Sequence, residues 1–347
     1  MKIAVYTIAK NEEQFVQRWY ESAKDADYLC ILDTGSQDQT VSIGRGLGIC
    51  VEQEVFVPWR FDHARNRSLD LVPADADICV ALDMDEVLVE GWREHLEQAL
   101  ADGVTRPRYK YTWSWENGRP GLQYGGDKIH ARHGYYWKHP VHEVLMPNID
   151  EVQGWYDLEI HHHPDTGKSR GHYLPLLELA VKEDPEDDRN SHYLAREYLF
   201  AGRNDEAVAE FKRHLTLEKA VWGPERARSY RYLAQLTDDP GYLWNAVAED
   251  PTSREAWLEI SQACHDEGEW VECFHTARRA LQIVERPLTY LTEGWAWGSR
   301  GHDLAAVAAF KIGLYQEAEF HGLEALKLDP YDARLRDNIK FYRRAAA

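Results

Sequence analysis

The sequence has few cysteines, and their spacing does not suggest pairs. Its five cysteines are scattered along 347 residues, and no two of them form a Cys-x-x-Cys pair. An odd number of separated cysteines is typical of free thiols in a reducing compartment, and it argues against a disulfide framework or a cysteine-rich zinc site. The sequence starts with a strand-like segment at residues 2–6, so no signal peptide is expected. We therefore expect a cytoplasmic protein.

The sequence also lacks a long apolar run and an excess of basic residues. Without an apolar run that could span a bilayer, no membrane insertion is expected. Lys and Arg number 40 against 59 Asp and Glu, so the net charge is −19, which does not favour wholesale attraction to nucleic acid. Residues 104–140 are the exception, with seven basic and two acidic side chains. That segment either faces an anionic ligand or consists of solvated strand residues.

Short apolar segments alternate with helical ones over the first hundred residues. Strands are predicted at residues 3–8, 28–32, 50–57 and 78–82, and helices at residues 11–24, 39–47 and 64–71. Apolar strands separated by helices indicate a parallel sheet that is covered on both faces, and ligands of such sheets bind beyond the carboxyl ends of the strands. Three polar clusters follow strands there: Lys10-Asn11-Glu12, Asp33-Thr34-Gly35-Ser36 and Asp83-Met84-Asp85-Glu86.

The chain changes character twice after residue 100. Aromatic residues alternate with basic and hydroxyl residues from 109 to 115, which is the period of a strand, and a last strand is predicted at residues 158–163. From about residue 170 the pattern is helical, with a repeat close to the roughly 34 residues of tetratricopeptide (TPR) units. Three copies are in phase, and a copy near residues 230–251 is degenerate. An unrelated helical bundle is the alternative. The matching positions are Ala195, Tyr198, Gly202, Ala207, Phe211, Trp257, Gly268, Ala277, Ala280, Gly313, Tyr315, Ala318, Ala325 and Pro330.

Asp83 and Asp85 stand two residues apart at the end of an apolar strand, so their side chains point to the same side. Two such carboxylates can bind a hard divalent cation, Mn²⁺ or Mg²⁺, which prefers oxygen ligands. The ion would neutralise the charge that develops on a diphosphate leaving group, as in sugar transfer from a nucleotide-sugar. Asp-x-Asp pairs are common in solvated loops, so the position after the strand is what favours a metal site.

Four segments together resemble glycosyltransferase family 2, whose catalytic domain has the GT-A fold. They are Thr7-Ile8-Ala9-Lys10-Asn11-Glu12, Asp33-Thr34-Gly35-Ser36-Gln37-Asp38-Gln39-Thr40, Phe61-Asp62-His63-Ala64-Arg65-Asn66 and Asp83-Met84-Asp85-Glu86. Later segments resemble bacterial and phage members with a TPR-like C-terminal region: Pro140-Val141-His142-Glu143, His161-His162-His163-Pro164 and Lys168-Ser169-Arg170. The resemblance implies an α/β GT-A catalytic domain, Rossmann-like with a mostly parallel sheet, over residues 1–168, and an all-α TPR-like helical repeat domain over residues 169–347.

The resemblance also implies roles for residues at the strand ends. The metal would be bound by Asp85, with Asp83 beside it and a histidine of the late strand completing the site. His161 and His163 share one face, and His163 is the predicted ligand, although adjacent histidines before a proline are nearly as typical of a polar strand end. The residues implied in binding the donor nucleotide are Thr7, Ala9, Asn11, Glu12, Asp33, Arg65 and Asp83.

An inverting transferase needs a carboxylate base that takes the proton of the acceptor hydroxyl. Family 2 usually supplies an Asp from a Glu-Asp pair at a helix start, and this sequence departs from that pattern. Glu143 occupies the comparable place and is the predicted base, with Asp127 second; an ordinary helix-starting carboxylate is the alternative for Glu143. Aromatic faces stack on sugars as well as on bases. The predicted acceptor-binding residues are Trp113, Trp115, Arg132, Trp137 and His142.

These expectations combine into a metal-dependent glycosyltransferase, a hexosyltransferase that moves a sugar from a UDP-linked donor to a hydroxyl acceptor with inversion. The acceptor would be a glycan, a protein or modified DNA, and the TPR-like domain would bind a protein partner or mediate oligomerisation. The cytoplasm would be bacterial, or that of the host if a phage encodes the chain. One alternative is a phage-type DNA glycosyltransferase acting on 5-hydroxymethylpyrimidines, which the basic and aromatic stretch 106–138 favours. The other is a non-catalytic TPR scaffold with a degenerate transferase domain.

Overall fold

The structure, a computed structural model, describes residues 1–116, 118–165 and 173–346. They fall into two units, Met1–Glu183 and Asp184–Ala347. The predicted boundary between residues 168 and 169, with the segment Lys168-Ser169-Arg170, lies outside the described residues. Across the described part of the chain, no helix combines the length and apolar character that crossing a membrane requires.

The first unit contains strands and helices in mixed order. Its elements are β1 (Ile3–Ala9), α1 (Glu13–Ala23), β2 (Tyr28–Asp33), α2 (Thr40–Gly46), β3 (Cys50–Gln53), α3 (Phe61–Asp70), β4 (Ile78–Ala81), β5 (Glu86–Leu88), α4 (Trp92–Ala101), β6 (Arg106–Thr112), β7 (Trp115–Glu116), β8 (Arg119–Pro120), β9 (Gln123–Gly126), β10 (Ile129–Ala131), β11 (Tyr135–Lys138), β12 (Val144–Pro147), β13 (Gln153–His162) and α5 (Tyr173–Glu183).

The main sheet of this unit has five strands in the order β10, β4, β1, β2, β3. The strands β4, β1, β2 and β3 run parallel, and β10 pairs antiparallel with β4. Successive side chains of β1 face opposite sides of the sheet, as the two-residue period of a strand requires. Ile3 and Val5 pack with Trp19 in one apolar cluster, whereas Ala4 and Tyr6 belong to another. Burial of both faces explains why these strands read as continuous apolar runs.

A second sheet has the order β5, β13, β6, β9 and carries the aromatic segment of the sequence. The strand β13 pairs parallel with β6 and antiparallel with β5, and β6 pairs antiparallel with β9. The predicted last strand began at residue 158, whereas β13 already begins at Gln153. Its first five residues alternate between exposed and half-buried, so they carry no apolar run that would have revealed them. The strands β11 with β12, and β7 with β8, form two short antiparallel ribbons.

A buried hydrogen-bonded chain links the main sheet to β11. Trp137 Nε1 donates to the Tyr6 hydroxyl at 2.9 Å, and the Tyr6 hydroxyl lies 2.9 Å from His130 Nε2. His130 Nδ1 lies 2.7 Å from the Ala131 carbonyl, which can only accept, so Nδ1 carries the proton and Nε2 accepts from Tyr6. The Trp137 Nε1 atom, the Tyr6 hydroxyl and both nitrogens of His130 therefore have hydrogen-bond partners while the imidazole is neutral.

We expect this arrangement to make the protein sensitive to mild acid. Burial lowers the pKa of His130 to about 3 from 6.5, so the unfolded chain binds a proton that the folded chain does not. The contribution of His130 to the free energy of unfolding is then constant above pH 6.5 and falls by about 1.4 kcal/mol per pH unit below it. From pH 7 to pH 5, chemical denaturation should show that the wild-type protein loses about 2 kcal/mol more than the His130→Gln variant. Parallel pH curves for the two proteins would contradict the prediction.

The second unit consists, over its described residues, of α-helices and a short 3-10 helix at Gly294–Trp297. The α-helices are α6 (Asp188–Phe200), α7 (Asn204–His214), α8 (Gly223–Thr237), α9 (Gly241–Glu249), α10 (Arg254–Glu267), α11 (Trp270–Leu281), α12 (Arg300–Lys311), α13 (Tyr315–Leu328) and α14 (Ala333–Ala346). They pack in consecutive pairs, α6 with α7, α8 with α9, α10 with α11 and α12 with α13, and neighbouring pairs contact each other.

A residue with left-handed backbone follows the first helix of each pair. Gly202, Gly268 and Gly313 have φ values of 72°, 80° and 82° in three of these turns. Glycine adopts this conformation without strain, which is why it commonly ends helices. In the fourth turn, after α8, Asp238 takes the position with φ 52°. The degenerate copy of the sequence repeat thus folds as a helix pair without the glycine, and the predicted repeat of helix pairs is confirmed for this unit.

Candidate functional site

The loops that follow β1 and β2 are held together by hydrogen bonds. The backbone N–H of Asn11 donates to Ser36 Oγ, and that of Glu12 donates to Thr40 Oγ1, both at 2.8 Å. In the other direction, Asn11 Oδ1 accepts from the N–H of Gln37 at 2.8 Å. Asn11 itself has a φ of 55°, a conformation that asparagine tolerates better than most residues. Asn11 and Glu12, predicted to bind a donor nucleotide, are thus part of the structure that joins the two loops.

Asp33 is fully buried at the end of β2. Its Oδ1 accepts from the N–H groups of Gly35 at 3.2 Å and Ser36 at 3.1 Å, which fixes the turn after the strand. Its Oδ2 is buried and accepts no hydrogen bond. Thr7 and Ala9 are buried in β1. Of these three residues predicted to bind the donor nucleotide, only Asp33 has a buried side-chain atom without a hydrogen-bond partner.

A largely buried group of five charged side chains lies beyond the end of β4. We name it the charge cluster: Arg65, Asp83, Glu86, Lys128 and Glu143. Arg65 Nη2 is 2.5 Å from Asp83 Oδ1, and Arg65 Nε is 2.9 Å from Glu143 Oε1. Lys128 Nζ is 2.7 Å from Asp83 Oδ2 and 3.2 Å from Glu86 Oε1. Both oxygens of Asp83 are therefore engaged by cationic side chains of the protein.

Burial and charge pull the pKa values within the charge cluster in opposite directions. Burial raises the pKa of Asp83, but the neighbouring Arg65 and Lys128 outweigh it and hold this pKa well below its usual range. Burial raises the pKa of Glu86, and here Lys128 does not reverse the shift. Burial lowers the pKa of Arg65, but Asp83 and Glu143 raise it above its usual value. The cluster therefore keeps Asp83 ionised through charges that the protein itself supplies.

Asp85 lies beside a histidine of β13. Its Oδ2 is 3.3 Å from His162 Nε2, and the other ring nitrogen of His162 donates to the Trp113 carbonyl at 3.0 Å. Burial lowers the pKa of His162, but the hydrogen bond to Asp85 and the one to Trp113 outweigh it, so the pKa is raised. The predicted ligand His163 donates its backbone N–H to the Asp85 carbonyl at 2.8 Å, and its ring stacks on Trp115. The structure thus places the side chain of His162, rather than that of His163, against the Asp85 carboxylate.

The other predicted residues lie in several environments. Arg132 donates to the carbonyl of Val72 at 2.9 Å, and Trp137 is buried in the core. Trp113 stacks on His162, whereas the His142 ring packs edge-on against Tyr173. The second candidate base, Asp127, has a half-exposed side chain 3.9 Å from Arg106. The structure therefore brings Arg65, Asp83 and Glu143 together but uses Arg132 and Trp137 to hold strands and loops.

Three residues of the site were missed from the sequence: Lys128, Glu86 and His162. Glu86 is the last residue of the acidic segment Asp83-Met84-Asp85-Glu86. The Tyr111 hydroxyl donates to Glu86 Oε1 at 2.6 Å, a contact that depends on the second sheet, which contains both β5 and β6. Lys128 stands in the basic stretch, where no spacing signal connects it to Asp83. His162 stands between the two histidines that were considered, on the opposite face of the strand.

The residues around Asp85 partly fit the predicted Mn²⁺ or Mg²⁺. Asp85 Oδ2 and His162 Nε2 are close enough to bind one ion, and oxygen with imidazole nitrogen suits Mn²⁺. Asp83 does not offer a vacant oxygen, because Arg65 and Lys128 occupy both. A divalent cation at this position stays a prediction, with Asp85 and His162 as the side chains that would hold it.

A second candidate site is a groove in the helical unit, which we name the acidic groove. It has a volume of about 530 Å³ and lies between α8, α9 and α10. Arg228 and Arg231 line it, but both pair with Glu293, and Arg231 also pairs with Glu259 at 2.5 Å. The remaining charged side chains are exposed carboxylates. The lining residues are Arg228, Arg231, Tyr232, Ala234, Gln235, Asp238, Pro240, Leu243, Glu259, Ala263, Asp266, Glu267 and Glu293.

Comparisons with known proteins point to helical repeat proteins. No family model matches the chain. A TPR repeat-containing protein of Synechococcus elongatus is 25% identical over 327 residues, which cover 81% of this chain and 75% of the relative. Among solved structures, the match to MamA covers 46% of this chain and 83% of the MamA chain, at 17% sequence identity and a TM-score of 0.35. The match to a thermophilic TPR protein of Thermus thermophilus covers 50% of this chain and 88% of that protein's chain, at 21% sequence identity and a TM-score of 0.31. Scores of this size do not define a shared fold.

These findings correct the predicted family and activity. The match to the cyanobacterial TPR protein covers 81% of the chain, more residues than the helical unit contains, and it carries no transferase name. The assignment to glycosyltransferase family 2, to a GT-A catalytic domain and to an enzyme of the hexosyltransferase class is therefore wrong. The charge cluster gives a physical reason. Glu143, the predicted base, is paired with Arg65, and the negative charge of Asp83 is balanced by Arg65 and Lys128.

Proposed function

We propose that the chain is a non-catalytic scaffold protein whose helical repeat unit binds a partner protein through the acidic groove. The observation that carries the proposal is the groove itself, about 530 Å³ in volume and lined by three successive helices. Asp238, Asp266 and Glu267 are exposed there, whereas Leu243, which also lines the groove, is buried. The TPR name of the cyanobacterial relative supports a repeat protein. Stacked helix pairs create extended surfaces of the kind that bind other chains.

The charge of the groove favours a basic partner segment. Arg228 and Arg231 are already paired with Glu293 and Glu259, so they contribute little attraction for an acidic ligand. The exposed carboxylates dominate the field at the rim, and the whole unit carries 29 acidic against 21 basic residues. Complementary charge mainly raises the rate of association and selects the partner. We infer that the groove takes an extended segment rich in Lys and Arg.

The charge cluster of the first unit also supports a non-catalytic role. It pairs Arg65 and Lys128 with three carboxylates inside the unit. Removing one partner from a group of buried charges leaves the others uncompensated and is strongly destabilising. We infer that the cluster stabilises this unit rather than carrying out a reaction.

Reversal of two groove charges should weaken binding of a basic peptide. Fluorescence anisotropy with labelled Lys/Arg-rich peptides, and with the same peptides carrying Glu at every basic position, measures the preference directly. We expect the full chain to bind the basic peptides, more weakly as salt rises because rim charges are screened. The double variant Asp266→Lys, Glu267→Lys should bind them at least about tenfold more weakly, which corresponds to about 1.4 kcal/mol.

The matched control carries the same change of net charge on exposed side chains outside the groove. Glu218→Lys with Glu285→Lys meets that condition, because neither residue lines the groove and both lie in the helical unit. Equal weakening by the groove variant and this control would mean that net charge alone attracts the peptide. Equal binding of basic and acidic peptides would overturn the proposed partner class.

A further inference from the structure

A buried polar cluster in the helical unit consists of residues that do not line the acidic groove. It brings together His192 of α6, His214 at the end of α7, and Glu225 in the first turn of α8. Both histidines are fully buried, and Glu225 is 3% exposed. One possible ligand atom from each of the three residues lies within 4.8 Å of the others. Three consecutive helices therefore point nitrogen and oxygen donors at one place.

Ser229 arranges the two imidazole rings. Its Oγ lies 2.8 Å from His192 Nδ1 and 3.0 Å from His214 Nδ1. A hydroxyl oxygen has two lone pairs, so Ser229 can accept from both Nδ1–H groups at once. In that state both Nε2 atoms carry free lone pairs. Neither His192 Nε2 nor His214 Nε2 has a hydrogen-bond partner, although both are buried.

Glu225 supplies the third donor. Its Oε1 lies 3.5 Å from His214 Nε2, and its Oε2 accepts a hydrogen bond from the Tyr290 hydroxyl. Two ligands of a tetrahedral ion with bonds of about 2.0–2.1 Å stand about 3.4 Å apart, so the spacing of Oε1 and Nε2 suits a shared ion. Tyr290 leaves Oε1 available, and it fixes the carboxylate as outer partners of metal ligands commonly do.

We propose that His192 Nε2, His214 Nε2 and Glu225 Oε1 bind a Zn²⁺ ion that ties α6, α7 and α8 together. Neutral imidazole and carboxylate are the donors that suit zinc, and three protein ligands leave one position for a water molecule. Ser229 and Tyr290 orient the ligands from behind. The ion accounts for two buried imidazole nitrogens that otherwise have no hydrogen-bond partner, since buried polar atoms in proteins are almost always hydrogen-bonded.

Metal content and visible spectroscopy of the full chain test the proposal. The protein is freed of any histidine tag, stripped with a chelator, loaded with Zn²⁺, and passed over a desalting column. We expect about one zinc ion per chain by mass spectrometry of the metal. Saturating zinc should raise Tm by roughly 5–10 °C. Loading with Co²⁺ instead should give the intense visible absorption of a tetrahedral ion, which needs no variant and therefore no assumption about folding.

Variants locate the ion. His214→Gln and Glu225→Gln should each lose the retained zinc and the cobalt absorption, whereas His321→Gln should keep both. His321 is the matched control because it is a buried histidine of the same unit, paired with His302 at a distance of 2.9 Å between Nδ1 atoms. Circular dichroism checks that each variant is folded. Failure of the wild-type chain to retain zinc and show the cobalt spectrum would overturn the proposal, as would retention of zinc by folded His214→Gln.

Discussion

The Arg65→Met variant should lose about 3–5 kcal/mol of unfolding free energy. Arg65 is 4% exposed and pairs with Asp83 and Glu143, which belong to two segments far apart in the sequence. Methionine keeps much of the volume but removes the charge, so two carboxylates are left in a largely buried place with Lys128 as the remaining cation near Asp83. Urea denaturation of the full chain, followed by circular dichroism and calorimetry, measures the loss.

The matched control is Arg67→Met, two residues further along α3. Arg67 pairs with Glu54 at 2.8 Å and Glu52 at 3.5 Å, but about a third of its side chain is exposed. Exposed pairs contribute only about 0–1 kcal/mol, because water and salt screen them. The expected contrast between neighbouring arginines therefore reports burial rather than charge. Similar losses for the two variants would show that the charge cluster does not stabilise the first unit as described.

The order of strands and helices in the first hundred residues could be read from the sequence because burial on both faces leaves continuous apolar runs. The strands β1, β2 and β4 lie where such runs occur. The strands β9 and β10, which form antiparallel pairs, and the start of β13 could not be predicted from the sequence. The strand β10 has three residues, and β9 and β13 contain exposed or half-buried positions, so none of them carries a strong apolar signal.

The charge cluster could not be predicted because its contacts span long sequence distances. Arg65 and Glu143 are separated by 78 positions, and Lys128 and Asp83 by 45. The period of a strand predicts only that His161 and His163 share a face opposite to His162. It does not predict which face turns toward Asp85. That choice depends on how β13 pairs with β5 and β6, including the shift of register between Trp155 and Glu159.

The wrong family assignment has a physical explanation in the same loops. Short polar segments after parallel strands can form hydrogen bonds with the backbone of neighbouring loops as well as with ligands. Here Asn11 bonds to Gln37, and Thr40 bonds to Glu12. Asp33 fixes its own turn through Gly35 and Ser36. Residue types that suit a nucleotide site therefore also suit loop construction, and a match of motifs does not distinguish the two.

The Phe211→Ala variant should also lose about 3–5 kcal/mol of unfolding free energy. Phe211 of α7 is fully buried, in a cluster with Ala195, Ala207 and Leu233 that joins α6, α7 and α8. Alanine leaves a cavity that this cluster can fill only in part. Phe200→Ala is the control, because Phe200 is 67% exposed and its truncation should change stability by less than about 0.5 kcal/mol. Calorimetry of the full chain measures both, and equal effects would contradict the described core.

The same substitution should weaken binding at the acidic groove without touching a charged residue. The Phe211 ring stacks on Tyr232 with ring centres 5.0 Å apart, and Tyr232 lines the groove. The Arg228 guanidinium lies over the Tyr232 ring, 4.5 Å from its centre, and donates to the Tyr232 hydroxyl at 3.1 Å. Loss of the Phe211 ring removes the aromatic contact that positions Tyr232 in the groove, while Arg228 stays paired with Glu293. At temperatures where the variant remains folded, we expect its affinity for the basic peptides to fall several-fold, with Phe200→Ala unchanged. Unchanged affinity of folded Phe211→Ala would mean that the groove is positioned by other contacts.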